Sequence, residues 1–260
     1  MRRKPLRLAR WITMLLASGI TLLVAAILLS TLPATAGTLP ARAAPDSAPY
    51  AYSDGWHYTQ HASPVSTGRA VDLFVDPDFS PYERDRIISA MRQWNYVMNG
   101  FVRFEARLLP ENPPSMMLAQ IRRSGGWVVA RVDSRHPIAQ HGEGMHALAV
   151  TTGNRGGFVY VISDRIGNRD LSGVVMHEFG HVLGAGHDSW GLMAPVYNAA
   201  MGRCIDHDAV SLVAQAQRLP VNALNWCVGP GGEFRAPQQA VAPAPAPYPD
   251  YRTPMAARQR

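Results

Sequence analysis

The chain has 260 residues, two cysteines and 25 Lys and Arg against 19 Asp and Glu, for a formal net charge of +6. Five of the positive charges (Arg2, Arg3, Lys4, Arg7 and Arg10) precede an apolar run without acids, and leaving them out takes +6 to +1. That removes the electrostatic basis for nucleic-acid binding, and two cysteines exclude a disulfide-dense miniprotein.

Residues 1–36 read as a signal peptide or a membrane anchor. Trp11 to Leu29 is 19 residues long, longer than the usual 7–15 of a signal core and close to the ~20 that span a bilayer. Ala34-Thr35-Ala36, with Ala41-Arg42-Ala43 as a second option, offers small residues where a signal peptidase reads. Both readings put the rest outside the cytoplasm, because the charges precede the apolar run. Residues 37–68, rich in Ala, Pro and Ser, read as a linker or short pro-segment. Tyr50, Tyr52, Trp56 and Tyr58 suggest that part of this segment packs on the domain C-terminal to it.

Residues 69–228 make one domain by the size prior. A strand is expected at Val71 to Val75. Ser80, Pro81 and Glu83 then form a capping-box start, and Ile87, Met91, Trp94 and Met98 recur at helical spacing until Gly100. Val102 to Leu108 alternates with period two, as a half-buried strand does. Met116 to Ile121, Trp127 to Val132, Ala147 to Val150 and Phe158 to Ile162 are further strand candidates. Two helices close the order, which indicates an α+β domain with a mixed sheet.

Cys204 and Cys227 bracket the apolar helical stretch Ala209 to Leu219. In an exported chain they form a disulfide that pins this helix, or else two buried thiols. Residues 229–260 read as a disordered Pro/Ala-rich tail; Pro230 to Arg260 holds seven prolines and too little apolar surface to offset ordering entropy.

The chemistry is concentrated in His177-Glu178-Phe179-Gly180-His181-Val182-Leu183-Gly184-Ala185-Gly186-His187. On a helix, His177 and His181 lie within about 40° of each other, and both can grip one ion. Glu178 sits about 100° round, placed to reach a water rather than the metal. Leu171, Val175, Phe179 and Val182 take the opposite, core-facing side. Gly184 permits the left-handed turn that ends a helix, so His187 can return as a third ligand. Three neutral imidazoles with an open fourth position describe a catalytic zinc (Zn2+) site rather than a structural one.

This stretch resembles the metzincin zinc signature, H-E-x-x-H-x-x-G-x-x-H. Leu192-Met193-Ala194-Pro195-Val196-Tyr197 is similar to a Met-turn of the matrixin type, and Asp206 to Val210 resembles the start of that family's last helix. The resemblance implies a zincin/metzincin-like catalytic domain: a mixed, mostly parallel twisted sheet with an active-site helix and a C-terminal helix. It implies Met193 as a hydrophobic floor under the zinc histidines, and Pro195 to Tyr197 as the wall of a substrate pocket. Calcium (Ca2+) is a further ion that it admits. The chain departs from the family in several places. Leu148 and Tyr160 stand where vertebrate-type matrixins have histidines for a second zinc, and His136, His141 and His146 nearby read as surface residues. No cysteine precedes Cys204, which excludes cysteine-switch latency. Pro195 replaces the tyrosine that supplies a fifth ligand in astacin-like enzymes, and Asp188 stands where matrixins often have serine.

The expected activity is hydrolysis of protein or peptide substrates by a secreted or surface-anchored endopeptidase. Zinc on His177, His181 and His187 activates a water, with Glu178 as general base. An edge strand carrying Ala147, Leu148 and Ala149 pairs with the substrate backbone. The competing class is a non-catalytic, zinc-containing extracellular binding module. Nucleic acid is not an expected partner, and a membrane is one only through an uncleaved N-terminal segment.

Overall fold

A computed structural model describes residues 55–167, 170–197 and 204–229. The expected signal or anchor segment, residues 37–54 of the linker with Tyr50 and Tyr52, and the tail beyond Gly229 lie outside the described residues.

The first packed segment is β1 (His57–Tyr58), followed by β2 (Arg69–Val75). Helix α1 (Pro81–Val97) begins with the expected capping box: the Ser80 hydroxyl accepts from the Glu83 N–H, and the Glu83 carboxylate accepts from the Ser80 N–H at 2.7 Å. β3 (Val102–Leu108) comes next. The element after it corrects the sequence reading, because Met116 to Ile121 belongs to a helix, α2 (Ser115–Arg123), and not to a strand. Met117, Leu118 and Ile121 are at helical spacing and pack on one cluster with Leu109 and Val128. The topology demands such a crossover, since β2, β3 and β4 (Trp127–Val132) are parallel neighbours. A six-residue apolar run cannot by itself distinguish the two states.

A short helix, α3 (Pro137–Gln140), leads to β5 (Ala149–Gly153) and β6 (Gly157–Ile162). The strand expected from Ala147 thus starts two residues later, with Ala147 and Leu148 entering it. α4 (Ser163–Ile166) precedes α5 (Leu171–Val182), which carries the histidine motif, and α6 (His207–Gln217) and β7 (Cys227–Val228) close the order. The five-stranded sheet runs β3-β2-β4-β6-β5; all neighbours are parallel except β5, which is antiparallel to β6 and forms one edge, β3 forming the other. The expected α+β class with a mostly parallel mixed sheet is what the chain adopts.

Both sheet faces are covered, as a parallel sheet requires. α1 and α5 pack together over one face, around Leu73, Val75, Trp94, Phe104, Val129, Val159 and Phe179. α2 covers the other. The Trp94 indole N–H donates to the Met176 carbonyl at 2.8 Å, and Phe104 meets Phe179 at 5.1 Å between ring centroids. These contacts fix α5 in rotation. α5 is buried nearly all round, including Ser172, Val174, Met176 and Glu178, so it is a central helix rather than one with a single core-facing stripe.

The disulfide Cys204–Cys227 is formed, which fits an oxidising compartment. β7 pairs with β1, so residues 57–58 are built into the packed body. Tyr58, buried as its aromatic character implies, donates to Gln93 Oε1 at 2.6 Å and accepts from the Ile205 N–H at 3.1 Å. Among the described residues no helix is long and apolar enough to cross a membrane.

Candidate metal centre

α5 starts at Asp170, whose side chain caps the Ser172 N–H at 3.0 Å. It ends in a Schellman arrangement: the Gly184 N–H donates to the His181 carbonyl and the Ala185 N–H to the Gly180 carbonyl, both at 2.9 Å. Gly184 has φ +93°, and a Cβ there would press on Ala216 of α6. A side chain at this position is therefore strained on two counts. Beyond it, the Asp188 N–H donates to the Met193 carbonyl at 2.9 Å and closes the loop that follows His187.

That path brings His177, His181 and His187 together, with one nitrogen from each lying within 4.8 Å of the others. In His177 and His181 the ring nitrogens turned away from the centre are held by backbone carbonyls. His177 Nδ1 faces Leu192 O at 2.7 Å, and His181 Nδ1 faces Ala185 O at 2.9 Å. These contacts favour the Nδ1–H tautomer in both rings and leave each Nε2 lone pair for a ligand. The two Nε2 atoms are 3.0 Å apart. Lone pairs so close repel unless a cation or proton lies between them, and nitrogens 2.0–2.1 Å from one tetrahedral ion stand roughly 3.3 Å apart. Burial pushes the His177 pKa down to about 4 and also lowers those of His181 and His187. At neutral pH all three are therefore uncharged donors. Such a set can hold a transition-metal ion; it is consistent with zinc without identifying it.

Glu178 follows the first histidine and points elsewhere. It is buried, and its Oε2 accepts a hydrogen bond of 2.6 Å from the Thr151 hydroxyl on β5. Burial raises its pKa, opposed by His181 and by the Thr151 hydrogen bond. A carboxyl held above its ordinary range by burial takes up a proton more readily than a solvated one.

Met193 is fully buried beside α5, and its sulfur fills the space that a Cβ on Gly180 would need. It packs directly under the turn that joins His177 to His181. Pro195 and Val196 are exposed. Tyr197 is half-buried, and its hydroxyl accepts from the Asp170 N–H at 3.0 Å, so the side chain braces the start of α5. Ala149 is buried, whereas Ala147 and Leu148 are only partly covered. His136 caps α3 and lies against Tyr160, and His141 contacts the Pro137 carbonyl.

Several contributors carry no sequence signal, namely the Leu192 and Ala185 carbonyls and Thr151, and the sequence marks Asp206 only as the start of the last helix. Asp206 caps α6 through the Ala209 N–H at 2.8 Å and accepts from the Leu192 N–H at 2.7 Å. Leu192 thus links Asp206 to His177 through its own peptide groups. No family model matches the chain, and no curated protein matches it.

Proposed function

We propose that this chain is an exported zinc-dependent endopeptidase of the metzincin type, with a matrixin-like Met-turn, acting on protein or peptide substrates. The observation that carries the proposal is the convergence of the three imidazoles beside a buried carboxylate that is tied to the sheet edge. His177, His181 and His187 would hold the ion, which when bound supplies a Lewis acid that acidifies water and polarises a carbonyl.

The remaining roles belong to side chains and backbone. β5 is one of the sheet's two edge strands and the one that lies against α5, so an extended peptide added to its edge runs past the histidines. Glu178 accepts the proton of the attacking water as the water oxygen bonds to the scissile carbon. It then delivers that proton to the departing nitrogen as the C–N bond breaks. One water is consumed, and one acid and one amine are released. Strand addition needs no free terminus, which makes the cleavage internal.

The test is Glu178→Gln in the zinc-loaded protein. Metal content is expected to stay near one per chain while casein hydrolysis collapses by more than about 100-fold. Hydrolysis by the variant at the wild-type rate overturns the mechanism. Wild-type protein that holds its metal but leaves casein intact returns the chain to the competing class, a non-catalytic zinc-containing binding module. A chelator abolishes cleavage, and added zinc restores it.

A further inference from the structure

We infer that Thr151 is a positioning residue for Glu178, setting the direction in which the carboxylate exchanges its proton; this rests on the peptidase reading. Thr151 lies on the edge strand β5 opposite Val159 of β6, and shares a face with the buried Ala149. Its side chain therefore turns toward α5. The hydroxyl donates to Glu178 Oε2 at 2.6 Å, and also lies 3.4 Å from the Glu178 backbone carbonyl. A hydroxyl has one proton, and the shorter contact takes it.

The consequence is an assignment of the two carboxylate oxygens. Oε2 is committed to the strand, which leaves Oε1 to meet the water and then the leaving nitrogen. A glutamate side chain has three rotatable bonds, and burial alone does not select one direction for its carboxylate. Threonine supplies that selection better than serine, because β-branching restricts χ1 while the methyl suits a strand. The same strand offers its backbone to the substrate in the proposed reading. Thr151 therefore couples the base to the surface that positions the peptide, and a peptide seated on β5 meets the base at a fixed distance.

Thr151→Val tests this with the zinc-loaded protein and fluorescently labelled casein, alongside Thr151→Ser. The valine variant keeps the branching and volume and loses the hydroxyl. Its kcat is expected to fall about 10- to 100-fold, the usual effect of removing a hydrogen-bond partner behind an active group. KM and metal content stay at their wild-type values. Thr151→Ser recovers kcat to within about fivefold of wild type, since the hydroxyl returns with a looser rotamer. In a Glu178→Gln background, Thr151→Val adds less than about twofold, because residues acting as a unit are not additive.

A valine variant with wild-type kcat, a serine variant as poor as valine, or additive losses in the double variant each overturn the inference while leaving the peptidase reading intact. If Thr151→Val loses its metal or its cooperative unfolding, Thr151→Ala repeats the comparison. Metal loss in both makes Thr151 a structural residue and overturns the inference. Zinc-loaded wild type without activity removes the peptidase reading, and this inference with it.

Discussion

His177 has its outer nitrogen held by the Leu192 carbonyl, and burial keeps its pKa at about 4. A free imidazole protonates near 6.5. Protons therefore compete with a metal for this nitrogen only in more acidic solution, and bound metal is expected to stay as pH falls through 6.5 and to leave below about 4. Metal analysis after dialysis at stepped pH checks this, and loss centred near 6.5 contradicts it. The metal-free protein has the complementary dependence. Its folded pKa lies below the unfolded one, so the unfolded chain binds the proton first on acidification. Stability from this group is complete above about 6.5 and is lost as pH falls to about 4, by roughly 3 kcal/mol at most. Chemical denaturation with chelator present reads that loss. The histidine triad is legible in the sequence because its determinants are local: two histidines four apart, a turn glycine, and a third histidine. Thr151 is not, since its partner is 27 residues away and a threonine two residues before a glycine carries no mark of what it touches.

Helices and turns meet at Asp206. Its carboxylate caps α6 with one oxygen and holds the Leu192 N–H with the other, while the carbonyl of Leu192 holds His177. Asp206→Ala removes the cap, worth about 1 kcal/mol, and leaves the Leu192 N–H without its partner, worth about 1–3 kcal/mol more. A lowered thermal midpoint is expected together with weaker metal affinity, measured by competition with a chromogenic chelator. Affinity unchanged in a destabilised variant would separate α6 from the centre and disprove the link. The capping box of α1 and the period-two strand β3 are readable because residues a few positions apart determine them. α2 reads as a strand because its apolar run is short, and only the parallel placement of β3 and β4 demands a helix there. The nearly complete burial of α5 likewise belongs to its packing under α1 and beside β5 rather than to its own pattern.

At the scale of the molecule, the disulfide joins the approach to α6 to β7 across a separation of 23 residues. The chain-entropy relation assigns a loop of this size about 3 kcal/mol. Replacing both Cys204 and Cys227 by serine is expected to lower stability by about that amount. The candidate metal site should persist, because none of its three histidines lies in the loop and the Asp206–Leu192 contact does not run through the disulfide. Denaturant unfolding and metal content give the two numbers, and loss of metal at full folding would refute this.

The pairing of β1 with β7 sets His57 beside Val228 and Tyr58 beside Cys227. The path of the folded body therefore nearly closes on itself, as a bracelet does at its clasp. Whatever is attached ahead of the clasp and whatever is attached behind it share one corner of the molecule. A tether on one appendage fixes the origin of the other, and a few residues joining position 228 directly to position 57 would turn the folded body into a ring.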